Sequence, residues 1–288
     1  MIGLAKMSTP RRSLPQARAS LGVLSLHLDG EPCRVNCEFC YLAGRAAVDG
    51  TAKRALDPTL IAELLATLDY AEVAVAVSEP GGDAIAPMRA IVAAATARKK
   101  PVAITTTAAV LAAVPELIDG VRRVNLSIDP RKGSISPRLI GSSARAIRSV
   151  DREVVLIVSL ISPEFAEVLI GGGLLSALVA LPDVDKVALN ALKPPPPWCD
   201  RAFWLRTCAR LAPLLERHLD RRLFLDCYVA ARILSLGGCP ARPDVSPGPE
   251  FRSCVYQPFP DARFTSAREL AQRLERFVAP TICPFPID

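Results

Sequence analysis

The fold is decided by Tyr70-Ala-Glu-Val-Ala-Val-Ala-Val77, an Ala- and Ile-rich run up to Arg98, and then Pro101-Val-Ala-Ile-Thr-Thr-Thr107. The outer runs are short, apolar and β-branched, so they read as buried strands. The middle run has the composition of a helix, with a turn of Ser78-Glu-Pro-Gly81-Gly82-Asp83 before it. Strand, helix and strand in succession imply two parallel strands joined by a right-handed crossover.

The same unit repeats on both sides. Upstream, Gly22 to Leu28 reads as a strand. Asp57-Pro58 opens a helix, with Asp as N-cap and Pro in the first turn. Leu60, Ile61, Leu64, Leu65 and Leu68 give that helix one apolar face. Downstream, helices are expected over 108–118, 137–150 and 164–181, and strands over 121–128, 154–162 and 184–190. Six strands, each followed by a helix, predict an α/β fold. A barrel and an open doubly wound sheet both satisfy the pattern, and in either the strand C-termini form the functional face.

The ends differ from this core. Residues 1–20 hold Pro10, Pro15 and several arginines without periodicity, and read as an N-terminal arm. Lys193 is followed by four prolines, Pro194 to Pro197, which favour a stiff extended connector. Asp200 caps a helix running to about His218, with Phe203, Trp204, Leu211, Leu214 and Leu215 inward. Leu223 to Cys227 reads as a further strand. Beyond Gly237, glycine, proline and cysteine dominate, with one helix over 266–277. The expected divisions are 1–20, a core over 21–193, a connector and helix over 194–220, and a Cys-rich extension over 221–288.

Of the 288 residues half are hydrophobic and 22% are charged, which suits a packed core and excludes a disordered chain. No apolar run reaches the ~18 residues of a membrane span, and no signal peptide is seen, so a cytoplasmic protein without membrane contact is expected. The net charge of +6 comes from scattered arginines. Its longest cluster in the core, Arg98-Lys99-Lys100, falls at a helix end, where it complements the helix dipole and does not point to nucleic acid.

Cysteine carries the chemical signal. Nine cysteines without a secretory signal point to metal or catalytic use and away from a disulfide framework. With only His27 and His218 in the chain, a zinc site using His or a Cys–His nucleophile finds little support. Cys33, Cys37 and Cys40 form a Cys-x3-Cys-x2-Cys loop immediately after the first strand. Three thiolates can hold three irons of a [4Fe–4S] cube and leave the fourth open, whereas structural zinc takes four ligands in paired units. Phe39 and Tyr41 flank the last thiol and would shield such a cube from water. Gly81 and Gly82 let a ligand approach the backbone after the second strand, with Asp83 as a nearby carboxylate. Asn190 ends the sixth strand on the same face. Cys199 and Cys208 lie on or beside a helix and read as packing thiols.

The cysteine triplet, with an aromatic residue before its last Cys, resembles the signature of radical S-adenosylmethionine (SAM) enzymes. Gly81-Gly82-Asp83 stands where that family has a Gly-Gly-Glu-type turn binding the SAM amino group; Asp83 replaces the usual Glu. Ile104-Thr105-Thr106-Thr107 and Asn125-Leu-Ser127-Ile-Asp129 are similar to the Thr-Thr-Asn-Gly and Ser-Leu-Asp strand ends of the molybdopterin-precursor cyclase branch, although Thr107-Ala108 replaces Asn-Gly. The resemblance implies a partial (β/α)6 barrel with a small Cys-rich C-terminal extension. It implies one [4Fe–4S] cluster on Cys33, Cys37 and Cys40, and SAM held by Tyr41, Gly81, Gly82, Asp83, Thr105, Ser127 and Asn190. The late cysteines Cys227, Cys239, Cys254 and Cys283 resemble a shortened twitch or SPASM extension, which implies a second, auxiliary cluster.

The function expected is therefore an enzyme that reductively cleaves SAM and abstracts hydrogen from a substrate, with flavodoxin or ferredoxin as electron donor. A peptide or protein substrate is favoured. With about twenty residues before the first strand, no separate peptide-recognition domain is expected there, and small-molecule or cofactor biosynthesis is the alternative. A non-catalytic iron–sulfur or zinc sensor is the alternative of another class.

Overall fold

The structure is a computed structural model. It describes residues 21–27, 58–77, 84–130, 135–192, 196–219, 221–229, 244–246, 250–252, 262–263 and 266–275. Cys33, Cys37, Cys40, Tyr41, Gly81, Gly82, Asp83, Cys239, Cys254 and Cys283 lie outside the described residues.

Seven strands run parallel, in chain order: β1 (Leu21–His27), β2 (Tyr70–Ala76), β3 (Val102–Thr106), β4 (Arg123–Ile128), β5 (Glu153–Ser159), β6 (Lys186–Asn190) and β7 (Leu223–Leu225). On the other side of β1, β8 (Asp244–Ser246) pairs parallel, and β9 (Glu250–Arg252) and β10 (Ala262–Arg263) follow antiparallel. The sheet thus continues beyond the sixth strand. A doubly wound sheet reverses its order at a switch point, and β1 to β7 do not. Right-handed crossovers in an unreversed order stack the helices on one face, and the sheet curls around the other as a half-barrel.

The helices between the strands are α1 (Pro58–Thr67), α2 (Ile85–Ala97), α3 (Ala108–Ala113), α4 (Pro137–Arg148), α5 (Pro163–Ile170), α6 (Leu174–Val179) and α7 (Arg201–His218); α8 (Ala267–Glu275) comes last. Among the described residues none is long and apolar enough to cross a membrane.

Two expected helices are broken, each for a local reason. The run over 108–118 stops at Ala113 and resumes as a 3-10 turn, Pro115–Ile118. Pro115 has no N–H for the helix ladder and forces Val114 out of the helical region, to φ −139° and ψ 74°. The run over 164–181 breaks into α5 and α6 at Gly171-Gly172-Gly173, where Gly173 takes φ +72°. The strand expected to reach Ser162 ends at Ser159, because Ser162 turns outward to cap α5. Its hydroxyl accepts from Phe165 N at 3.1 Å, with Pro163 in the first turn. Asp200 caps α7 as the sequence reads, accepting from Phe203 N at 2.6 Å.

Alternation along the strands separates two faces. Val73 and Val75, Ile104, Val124 and Leu126, Val154, Leu156 and Val158, and Val187 and Leu189 are at most 1% exposed. They pack under Ile61, Leu64, Leu65, Ile91, Ile140, Leu169 and Leu178 of the helices in one core. Each such aliphatic side chain contributes about 1.5–3 kcal/mol on burial.

Arg98, the C-cap residue of α2, also serves the end of α1. Arg98 Nη1 donates to Leu65 O at 3.0 Å and also to Ala66 O, satisfying carbonyls at the end of α1. The Arg98 guanidinium and Lys100 Nζ both stand over the Tyr70 ring, at 5.9 and 5.8 Å.

Candidate functional site

The inner face of the half-barrel carries the polar residues. Glu72 (β2), Thr105 (β3), Arg123, Asn125 and Ser127 (β4), Glu153 and Ser159 (β5), and Lys186 and Asn190 (β6) are all half-buried, each next to at least one buried neighbour that faces the helices. Parallel register sorts them into two levels, because in-register partners share a face.

The lower level, at the strand N-termini, is charged. Arg123 pairs with Glu72 across the intervening β3, and Lys186 Nζ pairs with Glu153 at 2.7 Å. Arg123 and Glu153 are themselves in register. Burial by itself pushes the Glu153 carboxyl up. The hydrogen bond and charge of Lys186, with Arg123 and Arg122 adding, outweigh this and hold it below its ordinary value. Lys186 also stands 5.8 Å from the centre of the Phe224 ring on β7.

The upper level, at the strand C-termini, is neutral and polar. Thr105 is in register with Asn125, Ser127 with Ile157, and Ser159 with Asn190. Asn125 Nδ2 donates to Thr105 Oγ1 at 3.0 Å. Three residues predicted from sequence, Thr105, Ser127 and Asn190, therefore come to one face and one end of the sheet. Neighbouring strands lie about 4.8 Å apart, so Thr105 and Asn190, three strands apart, are at most about 14 Å from each other across the curled face. Such a rim of hydroxyls and amides suits an elongated ligand with several acceptor and donor groups.

The rim continues around a cleft of about 220 Å³ at the end of β4, lined by Thr107, Ser127, Asp129, Leu139, Ile140 and Ser143. Thr107 is a helix cap: its hydroxyl accepts from Val110 N at 3.2 Å. Asp129 is buried, at 6% exposure. Of the four late cysteines, Cys227 is described. It is half-buried and lies two residues past the end of β7, at the same end of the sheet, beside Asp226, whose Oδ1 accepts from Tyr228 N at 2.6 Å.

Cys199 and Cys208 belong elsewhere. Cys199 is fully buried before α7, and burial pushes its thiol up to about 12 against the pull of the Trp204 indole, with Asp200 and Asp226 adding to the rise. Burial pushes Cys208 up to about 11. Thiols held protonated in this way pack well and ligate metal poorly. Among the described residues no three His, Cys, Asp or Glu side chains are grouped to hold a metal ion. The triplet that sequence nominates lies outside those residues.

Sequence reading passed over Asn125, although it lies in the quoted strand end, and the four charged residues of the lower level. The available signal was their common spacing. Arg123, Asn125 and Ser127 occupy alternate positions of one strand, and so do Lys186, Ala188 and Asn190. Which alternate set faces inward was decided by pairing.

No protein-family model and no curated protein matches the chain. Among solved structures it is similar to thiamine phosphate pyrophosphorylase from Pyrococcus furiosus, at 11% identity over 89% of this chain and 98% of that one, with a TM-score of 0.24. A score that low carries no weight for fold or function.

Proposed function

We propose that this chain is a radical SAM enzyme, built as a partial (β/α)6 barrel with a small Cys-rich C-terminal extension. The observation that carries the reading is the sequence Cys33-x3-Cys37-x2-Cys40, which follows β1 in the chain. Gly81-Gly82-Asp83 follows β2, and Thr105 and Ser127 end neighbouring strands. Thr105 and Ser127 lie at the C-terminal side of one parallel sheet, and in sequence the triplet and the Gly-Gly-Asp run follow the C-termini of β1 and β2; that order supports a site where open iron and a nucleoside ligand would meet.

The donor set fits both groups. Three thiolates suit a [4Fe–4S] cluster with one open iron. The neutral rim of Thr105, Ser127 and Asn190 suits a zwitterionic nucleoside, which offers carboxylate and ribose oxygens as well as an ammonium group. When bound, the cluster and SAM supply a 5′-deoxyadenosyl radical that takes hydrogen from the substrate.

The chain's own residues then have distinct tasks. Cys33, Cys37 and Cys40 anchor the cluster. Tyr41 shields it, and Gly81 and Gly82 admit the ligand to backbone carbonyls beside Asp83. Thr105 and Ser127 donate to ligand oxygens, and Asn190 borders its far end. The paired charges below the rim line the lower part of the same face. Cys227, with Cys239, Cys254 and Cys283, would hold an auxiliary cluster. A peptide or protein is the proposed substrate and flavodoxin or ferredoxin the proposed electron donor, in the cytoplasm.

Anaerobic reconstitution tests the reading. About four irons per chain, rising to about eight with an auxiliary cluster, are expected. Dithionite and SAM should yield 5′-deoxyadenosine, and Cys33→Ala should abolish it. Iron bound without SAM cleavage would favour a sensor, and a chain that takes up no iron and ignores SAM would sink the proposal.

A further inference from the structure

Oγ1 of Thr105 has one hydrogen and can accept as well as donate. In this structure it accepts, from Asn125 Nδ2 at 3.0 Å across the β3–β4 pair. An amide N–H has no alternative role, so this contact leaves the Thr105 hydroxyl hydrogen to point elsewhere. The two residues are half-buried and held in register by backbone pairing on both strands, which fixes the geometry before any ligand arrives. Among the described residues Ser127, two positions along β4, has no hydrogen-bond partner for its side chain and lies on the same face.

We propose that Asn125 is a positioning residue that commits the Thr105 hydroxyl to donate to an acceptor oxygen of the ligand at the strand C-termini. This rests on the radical SAM reading, in which that oxygen belongs to the carboxylate or ribose of SAM. Asn125 itself touches Thr105 and acts through it. A carboxylate at the same position reverses the arrangement. The hydroxyl then donates to the carboxylate and offers the ligand only lone pairs.

The test is SAM affinity of the reconstituted full chain, read from the change in the cluster's electron paramagnetic resonance signal on titration with SAM. Thr105→Val and Asn125→Asp should each weaken binding about tenfold or more at pH 8. The Thr105→Val/Asn125→Ala pair, which adds no charge, should be no weaker than Thr105→Val alone, because Asn125 acts only through that hydroxyl. Lowering the pH should restore affinity in Asn125→Asp, since a protonated carboxyl regains a donor. Glu72, Arg123, Glu153 and Lys186 on the same face are shared with the unsubstituted chain, whose own pH profile removes their contribution. Asn125→Ala, which adds no charge, should weaken binding by about threefold and supports the proposal if Asn125→Asp proves unfolded. Unchanged affinity in Asn125→Asp and Asn125→Ala, or losses that add in the double variant, would overturn the role of Asn125 while leaving the radical SAM reading in place. Failure of the unsubstituted chain to bind SAM overturns that reading and this inference together.

Discussion

Lys186 Nζ lies 2.7 Å from the Glu153 carboxylate, joining β6 to β5 on the inner face of the sheet. Arg123 stands in register with Glu153 and pairs with Glu72 on β2. Four charges of alternating sign thus run across five strands at their N-terminal end. They keep that face polar but locally neutral, and they bridge strands whose backbones are already paired.

Acid should dissolve this contribution. The folded Glu153 carboxyl lies below its ordinary value of 4.5, so the unfolded chain binds the proton more readily. Its stabilisation is fully present above that ordinary value and is lost as pH falls through the folded value. Glu153→Gln should lower stability by about 1 kcal/mol at pH 7, the modest size reflecting side chains that remain 23% and 40% exposed. Urea midpoints of the two proteins should converge as pH falls toward 3. A gap that persists in acid would show that the pair contributes through packing.

Cys199 and Cys208 should resist modification in the folded protein. With thiols raised to about 12 and about 11, only about one molecule in ten thousand and one in a thousand carries the thiolate at pH 8. Iodoacetamide followed by mass spectrometry should label neither residue until urea is added. Cys199→Ala and Cys208→Ala should also bind as much iron as the parent chain. Iron loss in either would place it among the ligands.

Gly120 and Gly173 share a left-handed backbone but not their surroundings. A Cβ at Gly120, φ +71°, would sit 2.5 Å from Val92 Cγ1, whereas nothing lies within 4 Å of one at Gly173. Gly120→Ala should therefore cost about 2–3 kcal/mol and Gly173→Ala about 1 kcal/mol, by thermal or urea unfolding. Val92→Ala should return part of the loss in a Gly120→Ala background. Equal costs at both glycines would mean that backbone strain alone decides them.

Thr107 should matter through α3. Its hydroxyl caps Val110 N, so Thr107→Ala should destabilise by about 1 kcal/mol while Thr107→Ser restores nearly all of it. A Thr107→Ser protein as unstable as Thr107→Ala would exclude the cap as the cause.

Much of the architecture was legible because it is written locally. Strand runs such as Tyr70–Ala76 and Lys186–Asn190 are short, apolar and well bounded, and Asp200 announces α7 by an ordinary capping rule. The breaks at Pro115 and at Gly171 to Gly173 were equally local signals, but apolar periodicity on both sides ran through them and outweighed them in the reading. The candidate site was legible at its strand ends, in Thr105, Ser127 and Asn190. Its organisation was not, because a single strand cannot show which neighbour its side chains will meet.

The sequence by itself determined the β–α alternation and the placement of its unusual residues, the Cys33, Cys37 and Cys40 triplet included, after strand C-termini. Those follow from hydrophobic period, turn chemistry and spacing, which act within a few residues. Only the tertiary structure decided that β1 to β7 lie in unreversed order, and that β8 returns to the edge of β1. Register, in the same way, decided that Asn125 meets Thr105 and that Glu72 reaches Arg123 across β3. These pairings join residues 20 and 51 positions apart. They depend on how each strand slides against its neighbours to bury its apolar face, a choice that the whole sheet makes together.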